Sequence, residues 1–323
     1  GVTPAVETST VSGADTVLLN TPREPMAETW VLVHGGSGTL QPYQPLLPRL
    51  RDAHPGPLIG LEISDFERYL AMPPEAVVDR LAADYARELL ATGASRFRII
   101  GYCVGGLLAS EIARTLTESG AQVEDLTVIS SYRPPEVHDE LMVEYVFALA
   151  MGTDLTAAGM PADTEACNAA IRSILDESPD AIPDGALSSL DGGFGSVGEE
   201  FRAYARQPSD ERIAALHHAS TAEAAYNPGT YSLEEFRRYF AVFRQSMRAV
   251  SQHRVDPYLG ATTLLRNSES STLLPGTRAD VGAFWTDICV GDLTIHDVPG
   301  DHFSCMSARH AATLATLLTE GAS

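Results

Sequence analysis

The chain has 323 residues, of which 44% are hydrophobic and 20% charged, a balance typical of a globular protein with a full core. Its formal net charge of −21 repels phosphate backbones and anionic lipid headgroups, which argues against nucleic acid and membrane partners. Four cysteines without CxxC spacing disfavour a metal site or a disulfide framework. No stretch reads as a secretory signal or a membrane span, so a cytoplasmic protein is expected.

The first predicted segment is a linker. Residues 1–14 are rich in Thr, Val and Ser, carry no periodicity and lack an initial Met, as expected of a domain that follows another domain, although a processed terminus would look the same. A strand–helix alternation follows, which predicts a mostly parallel sheet with helices on both faces. The predicted strands are 16–20, 30–34, 57–63, 97–102 and 126–132, and the predicted helices are 42–53, 74–92 and 104–119.

The alternation stops after Tyr132 and resumes with a strand at 261–266, a helix near 278–288, a strand at 292–298 and a helix at 306–320. Residues 134–257 between the two halves are mainly helical and polar. We predict that this insertion, into a single domain spanning 15–323, forms a lid over the open end of the sheet.

A cysteine stands at the sharpest turn that the sequence predicts. Gly101-Tyr102-Cys103-Val104-Gly105 has the form G-x-C-x-G between a strand and a helix. In the serine version of this motif, a strained turn exposes the nucleophile, and the next backbone N–H faces the oxyanion. Cys103 could instead be a small buried residue, or the glycines could cradle a phosphate. The motif becomes specific only if its partners follow at the expected places.

Those partners can be found in the sequence. His302, in VPGDHFSCM after the last strand, has the loop position and chain order that a catalytic histidine requires. An oxyanion donor is expected after an early strand, and WVLVHGGSG (30–38) offers the backbone of Gly36 beside that of Val104. GGSG is not a dinucleotide-binding G-x-G-x-x-G, and His217–His218 lacks a carboxylate at metal-ligand spacing, so neither nucleotide nor metal binding is expected.

Taken together, these residues resemble the α/β-hydrolase thioesterase domains that end nonribosomal peptide synthetases and polyketide synthases. The similarity runs through VHGGSGTLQPYQPLLPRL, IIGYCVGGLLASEIARTLTESGA, LTVISSYRPP, ATTLLR and VPGDHFSCM. GYCVGG and TVISSYR are most similar to thioesterases of phenyloxazoline synthases in mycobactin-type siderophore assembly. The resemblance implies an α/β-hydrolase fold, Cys103 as nucleophile, His302 as general base and acid, and an oxyanion hole at Val104 and Gly36.

Two positions depart from the family pattern. The family usually has serine where this chain has Cys103, and an aspartate where it has Ser130. Glu269, just after the strand that follows the insertion, is the first candidate for the missing acid. Asp301 is a second candidate, although its side chain is expected to cap the turn. A third possibility is that no carboxylate orients His302, because a thiol depends less on a third member than a hydroxyl does.

The resemblance also implies substrate and partner. An acyl or peptidyl chain would arrive on the phosphopantetheine of an upstream peptidyl carrier domain, with no cofactor bound to the monomeric thioesterase itself, and leave by hydrolysis or cyclisation. Phe240 and Phe243 lie on the apolar stripe of a helix at 233–250; with Tyr226 and Tyr231 they could line the acyl pocket, or the stripe could simply pack on the domain. A free-standing thioesterase or esterase, and a non-catalytic carrier-docking module, remain alternatives.

Overall fold

In the computed structural model, which describes residues 15–220, 231–268, 272–277 and 279–320, a seven-stranded sheet forms the centre of the molecule. Its strand order is β1-β3-β2-β4-β5-β8-β9, and every pairing is parallel except that of β1 with β3. The seven strands are β1 (Thr16–Leu18), β2 (Thr29–Val33), β3 (Leu58–Leu61), β4 (Arg96–Tyr102), β5 (Gln122–Ile129), β8 (Thr262–Asn267) and β9 (Leu293–Val298).

The central strands are buried on both faces. β2 and β3 carry no exposed residue, and β4 exposes only Arg96, as expected for parallel strands covered by helices on each side. The helices of the sheet domain are α1 (Leu47–Ala53), α2 (Phe66–Ala71), α3 (Pro74–Ala91), α4 (Val104–Glu118), α10 (Val281–Ile288) and, after the last strand, α11 (Ala311–Glu320). This is the mostly parallel α/β-hydrolase sheet that the sequence predicts.

Three predicted helices begin later than expected. The stretch at 42–53 divides into a 3-10 turn at 41–43 and α1, because Pro48 lacks a backbone N–H and fits only the first turn of a helix. The last helix begins at Ala311 rather than 306, because extended backbone at Ser307 ends a separate 3-10 turn. The helix expected near 278–288 starts at Val281, where Asp280 caps it.

The insertion, residues 134–257, lies between β5 and β8 in the chain. It contains one short two-stranded pairing, β6 (Glu136–Val137) with β7 (Ala181–Ile182). The rest is helical: α5 (Glu140–Ala150), α6 (Thr164–Glu177), α7 (Gly195–Ala205), α8 (Ser209–Ala219) and α9 (Leu233–Gln252).

Helix α9 joins the insertion to the sheet domain. Ser232 and Glu235 form a capping box at its N-terminus, and α9 packs on α2, α3, α4 and α5. The apolar stripe predicted for this helix is buried at Phe236, Phe240 and Phe243, and Leu233 at its start is half-buried. Among the residues described, no helix is both long and apolar enough to cross a membrane.

Candidate active site

Cys103 occupies a strained turn at the end of β4, where α4 begins. Its φ is +60° and its ψ is −133°, a conformation that L residues rarely adopt. Two glycines permit the turn: a Cβ on Gly101 would lie 2.2 Å from the carbonyl oxygen of Gly105, and one on Gly105 would lie 2.3 Å from that of His34. The G-x-C-x-G sequence therefore forms a strained elbow between strand and helix, with the N-terminus of α4 directly behind Cys103.

His302 lies in the loop after β9, held by groups from β4 and from its own turn. The Tyr102 hydroxyl donates to its carbonyl oxygen at 2.6 Å, and the Tyr102 ring stacks on the imidazole with centroids 5.4 Å apart. Since Tyr102 precedes Cys103, this contact brings the His302 loop to the elbow. The Asp301 carboxylate accepts hydrogen bonds from the backbone N–H groups of Phe303 and Ser304, so it caps the turn and is committed there.

Two neutral side chains orient the His302 ring. The Ser130 Oγ lies 2.8 Å from Nδ1 of His302, and the Ser130 hydroxyl donates to Oδ1 of Asn267 at 2.5 Å. Ser130 follows β5 with a φ of +47°, and Asn267 is the last residue of β8. The aspartate position of the family thus holds a serine that contacts the histidine, backed by an asparagine that the sequence analysis did not identify.

Burial controls the protonation of His302. The side chain is 1% exposed, and desolvation lowers its pKa to about 3, against the opposing negative charge of Asp301. Cys305, which donates its thiol to the His302 carbonyl, has its pKa raised to about 12, mainly by burial and then by the charges of Asp301 and Cys103. His302 is therefore a neutral imidazole at physiological pH.

The two expected oxyanion donors, Val104 and Gly36, lie at the start of α4 and in the loop after β2. Val104 is the first residue of α4, where a backbone N–H has no acceptor within its own helix. The carbonyl of Gly35 accepts hydrogen bonds from His34 Nδ1 at 2.9 Å and from the N–H of Gly38 at 3.0 Å. In a trans peptide, the C=O of Gly35 and the N–H of Gly36 point in opposite directions, so the N–H of Gly36 points away from His34 Nδ1 and from the N–H of Gly38.

His34 is itself fixed by a buried tyrosine. Its Nε2 lies 2.9 Å from the Tyr85 hydroxyl, and because Nδ1 must donate to a carbonyl, Nε2 accepts from that hydroxyl. Burial lowers the pKa of His34 to about 4, which keeps this tautomer neutral. His34 and Tyr85 are contacts that the sequence analysis missed, although the HGG sequence could have indicated the first.

The insertion covers the loop that contains Gly36. A Cβ on Gly36 would lie 3.0 Å from Cδ2 of Phe243, and the Ser246 hydroxyl donates to the carbonyl of Gly36 at 2.9 Å. Cys103 is 2% exposed and His302 1%, so the structure shows a closed site. Substrate access therefore requires that α9 or its neighbours move.

The remaining candidates have different positions. Phe240 packs against Phe147 of α5, with ring centroids 5.2 Å apart, and Tyr231 stacks on Phe236 at 5.8 Å, so both belong to an aromatic cluster inside the insertion. Phe243, by contrast, faces the loop that contains Gly36. Tyr226 and Glu269 lie outside the described residues.

One cluster of potential metal ligands lies between α3, α4 and the end of α9. Within the described ranges, Asp79, Glu111 and His253 place one ligand atom each within 4.8 Å of one another. Nδ1 of His253 faces Asp79 at 3.8 Å, whereas Nε2 faces Glu111 at 3.8 Å. The two carboxylates therefore lie on opposite sides of the His253 ring. In a metal site, both carboxylates would lie near the same ring nitrogen, the one that binds the ion.

A strained turn after a central strand and a histidine loop after the last strand of a mostly parallel sheet are the layout of the α/β-hydrolase fold. Residues 29–177 match the sequence profile of the Thioesterase domain family. The chain is 33% identical over 294 residues to pyochelin synthetase PchF of Pseudomonas aeruginosa strain UCBPP-PA14, and the same identity is found with PchF of strain PAO1. Residues 29–177 are thus similar to a thioesterase domain, and most of the chain is similar to part of a pyochelin synthetase.

The match covers 91% of this chain but only 15% of the length of PchF. Among solved structures, the four-domain nonribosomal peptide synthetase AB3403 superposes with a TM-score of 0.64 at 19% identity, over 95% of this chain and 20% of that one. The Vlm2 thioesterase domain gives 0.56 at 18% identity, over 95% of this chain and 97% of that one. These structures share the fold of the present chain.

Proposed function

We propose that this chain is a terminal thioesterase domain of a nonribosomal peptide synthetase and that Cys103 is the nucleophile to which the acyl chain is transferred. The observation that carries the proposal is the position of Cys103 at φ +60° in a glycine-flanked elbow, directly after Tyr102, whose ring stacks on the imidazole of His302. Homology to pyochelin synthetase supports an assembly-line setting, and it favours a siderophore-type acyl chain.

In the proposed reaction, Sγ of Cys103 attacks the carbonyl carbon of a thioester held on the phosphopantetheine of an upstream peptidyl carrier domain. His302 removes the thiol proton as the new C–S bond forms, and the N–H groups of Val104 and Gly36 stabilise the oxyanion. The bond to the pantetheine sulfur then breaks, and His302 returns the proton to that sulfur. The product is an acyl-S-enzyme.

The second half-reaction releases the chain. Since one thioester has replaced another, the acyl group on Cys103 stays activated toward an amine or hydroxyl within the chain, or toward water. The closed insertion limits water at the site, which supports cyclisation when an internal nucleophile is within reach, and hydrolysis otherwise. The phenyloxazoline-synthase specificity suggested by GYCVGG belongs to the same proposal.

The test is intact-protein mass spectrometry after brief exposure to acyl-pantetheine thioesters, for the unchanged protein, Cys103→Ala and Cys103→Ser. We expect an acyl adduct that Cys103→Ala abolishes, while Cys167→Ala, which changes a buried cysteine of the insertion, retains it. The mass of the released product then distinguishes hydrolysis from cyclisation. If Cys103→Ala is still acylated, or if no thioester ever labels the protein, the nucleophile assignment fails; the second result would favour the carrier-docking alternative.

Small diffusing esters distinguish an assembly-line domain from a free-standing enzyme. A domain that acts within an assembly line should transfer an acyl group from a carrier protein far more readily than from a small ester. A p-nitrophenyl ester turned over with a higher kcat/KM than an acyl-carrier protein would instead support the free-standing esterase alternative.

A further inference from the structure

A polar cavity of about 380 Å³ lies between the loop that contains Gly36, the end of β3 and the first half of α9. Its polar lining includes the side chains of Ser37, Thr39, Gln41, Gln44, Glu62 and Arg238. The lining runs from Ser37, which is buried, to Gln44, which is exposed. The cavity therefore leads from the surface toward the Gly36 loop.

Arg238 of α9 brings a guanidinium to this cavity. Its central carbon lies 4.5 Å from the centroid of the Phe66 ring and 5.9 Å from that of the Tyr239 ring, so two aromatic side chains position it. Glu235, one turn earlier on α9, is held by Ser232 in the capping box. In the described part of the chain, Nε of Arg238 is buried and has no hydrogen-bond partner. A guanidinium positioned by ring faces keeps its N–H donors for a phosphate or a carboxylate.

The other polar groups of the cavity suit amides and hydroxyls. The Ser37 Oγ lies 3.1 Å from Oγ1 of Thr39, and since only one hydrogen is shared between them, the pair keeps one to donate. Oε1 of Glu62 accepts the backbone N–H of Leu40 at 2.8 Å, and its second oxygen can accept another donor. The two glutamines add a donor and an acceptor each. A fitting ligand thus has its anionic group at Arg238, and N–H and O–H groups along the rest of its length.

The cavity adjoins the proposed active site. Gly36 precedes Ser37, and a Cβ on Gly36 would lie 3.7 Å from Cγ2 of Val104, the residue after Cys103. Phe243, which faces Gly36, follows Arg238 by five residues on the same helix, which is about 7.5 Å along the axis. A long, narrow ligand with its anionic group at Arg238 can therefore extend past Gly36 toward the elbow.

The cavity also adjoins the start of β1. The backbone N–H of Glu62 donates to the carbonyl oxygen of Asp15 at 3.0 Å, and the Asp15 carboxylate accepts the N–H of Ser64 at 2.9 Å. In the proposed assembly-line setting, the carrier domain joins the chain ahead of β1. Its prosthetic arm then starts on the side of the molecule that holds this cavity.

We propose that this cavity binds the phosphopantetheine arm of the carrier domain, with the phosphodiester at Arg238 and the amide and hydroxyl groups of the arm along the other polar side chains. The inference rests on the proposed function and names the residues that receive the partner's arm. The thiol end of the arm passes Gly36 to reach Cys103. Arg238 therefore acts on delivery of the thioester and takes no part in the transfer of the acyl group.

The experiment compares two substrates that differ only in the phosphate, an acyl-phosphopantetheine and the same acyl-pantetheine. The ratio of their kcat/KM values for acylation of Cys103 gives the phosphate preference. We expect a preference of about 10–100-fold in the unchanged protein, the range for a single hydrogen-bonded contact between charged groups. Arg238→Gln should abolish this preference and leave kcat/KM for acyl-pantetheine nearly unchanged.

Two further variants separate the contact from general effects of charge and folding. Arg237→Gln removes the same charge from the neighbouring, exposed position of α9 and should keep the preference of the unchanged protein. Gln44→Glu adds a carboxylate at the exposed end of the cavity without changing α9. It should lower the phosphate preference even if Arg238→Gln loosens the helix.

Phosphorus NMR measures binding without catalysis. The signal of phosphopantetheine should broaden in the presence of the unchanged protein and of Arg237→Gln, and should stay sharp with Arg238→Gln. Inorganic phosphate should compete only weakly, because it lacks the amide and hydroxyl groups that the rest of the cavity binds.

Each outcome decides a separate point. A phosphate preference that is absent from the unchanged protein, or equal in Arg238→Gln and Arg237→Gln, would overturn the inference. Inorganic phosphate that competes as strongly as phosphopantetheine would overturn it too, since the cavity would then bind only the anion. If neither thioester acylates Cys103 while the phosphorus signal still broadens in an Arg238-dependent way, the proposed function fails and the arm site stands, so the two failures are distinguishable.

Discussion

The hydrogen atom in place of a side chain at Gly101 decides whether Cys103 can occupy its turn. A Cβ there would meet the carbonyl oxygen of Gly105 at 2.2 Å and the Cβ of Ala109 at 2.8 Å. Both contacts are with the first turns of α4, so neither can be relieved by rotating a long side chain. The close approach of β4 to α4 is therefore a requirement of the elbow.

We predict that Gly101→Ala lowers the free energy of unfolding by about 2–3 kcal/mol, because the overpacked strand and helix must separate. Urea unfolding followed by circular dichroism measures the loss. Gly193→Ala provides the control, since a Cβ at Gly193 meets nothing within 4 Å and its φ is not left-handed. Equal unfolding free energies for the two variants would contradict the steric argument.

Among single residues, those of the elbow and of the His302 loop could be identified from the sequence, because the fold fixes where they occur along the chain. It did not predict Asn267. An asparagine at the end of a strand has no pattern of its own, and its role depends on the register that places β8 beside β5, with Leu265 paired to Ile129. That register is a property of the folded sheet.

Among the secondary elements, α5, α7 and α8 are joined by a buried ion pair inside the insertion. Glu144 is 0% exposed and accepts hydrogen bonds from Nε and Nη2 of Arg212 at 2.9 and 2.7 Å. The Tyr204 hydroxyl donates to the same carboxylate at 2.8 Å. A bidentate contact with a third donor satisfies a carboxylate that could not otherwise be buried.

Glu144→Gln should destabilise the protein by about 3 kcal/mol, because the substitution leaves the Arg212 charge buried without its partner. The matched control is Glu140→Gln, which breaks the half-exposed pair with Arg244 and should cost less than about 1 kcal/mol. Thermal unfolding of both variants checks the difference. A smaller loss in Glu144→Gln than in Glu140→Gln would show that the buried pair does not hold these helices together.

Most elements of the sheet domain were predictable because parallel strands read as short apolar runs and the helices between them carry a regular apolar face. The strand expected at 126–132 begins at Gln122 and ends at Ile129, since Ser130 turns into left-handed backbone. The closure of α9 over Gly36 was not predictable. It depends on which neighbour the buried face of α9 contacts, and periodicity reports only that such a face exists.

For the molecule as a whole, two buried histidines make the free energy of unfolding depend on pH. His302 and His34 have folded-state pKa values of about 3 and about 4, lowered mainly by burial, against an ordinary value of 6.5. The unfolded chain therefore binds protons below pH 6.5 that the folded protein does not. Their contribution is complete above that pH and is lost as the pH falls from 6.5 toward the folded pKa values.

Between pH 7 and pH 5, the free energy of unfolding should fall by about 2 kcal/mol for each of the two histidines. Buried Asp125 and Asp139, whose pKa values are raised mainly by burial, oppose this loss as they take up protons in the folded state. Urea unfolding at the two pH values measures the net change. His302→Gln should reduce the pH dependence by one histidine, whereas exposed His218→Gln should leave it unaltered; equal pH dependence in all three proteins would contradict the assignment.

The single antiparallel strand has a consequence for delivery of the substrate. Because β1 runs against β3, with Thr16 opposite Leu61 and Leu18 opposite Ile59, the start of β1 lies where the parallel strands end. The residues of the proposed active site follow those same strand ends. In the proposed assembly-line setting, a chain that comes from an upstream carrier domain would enter β1 on the side of the sheet that holds the proposed active site. Its thioester would meet Cys103 at a tethered effective concentration in the millimolar range, so efficient transfer would need only a weak, readily reversed interface.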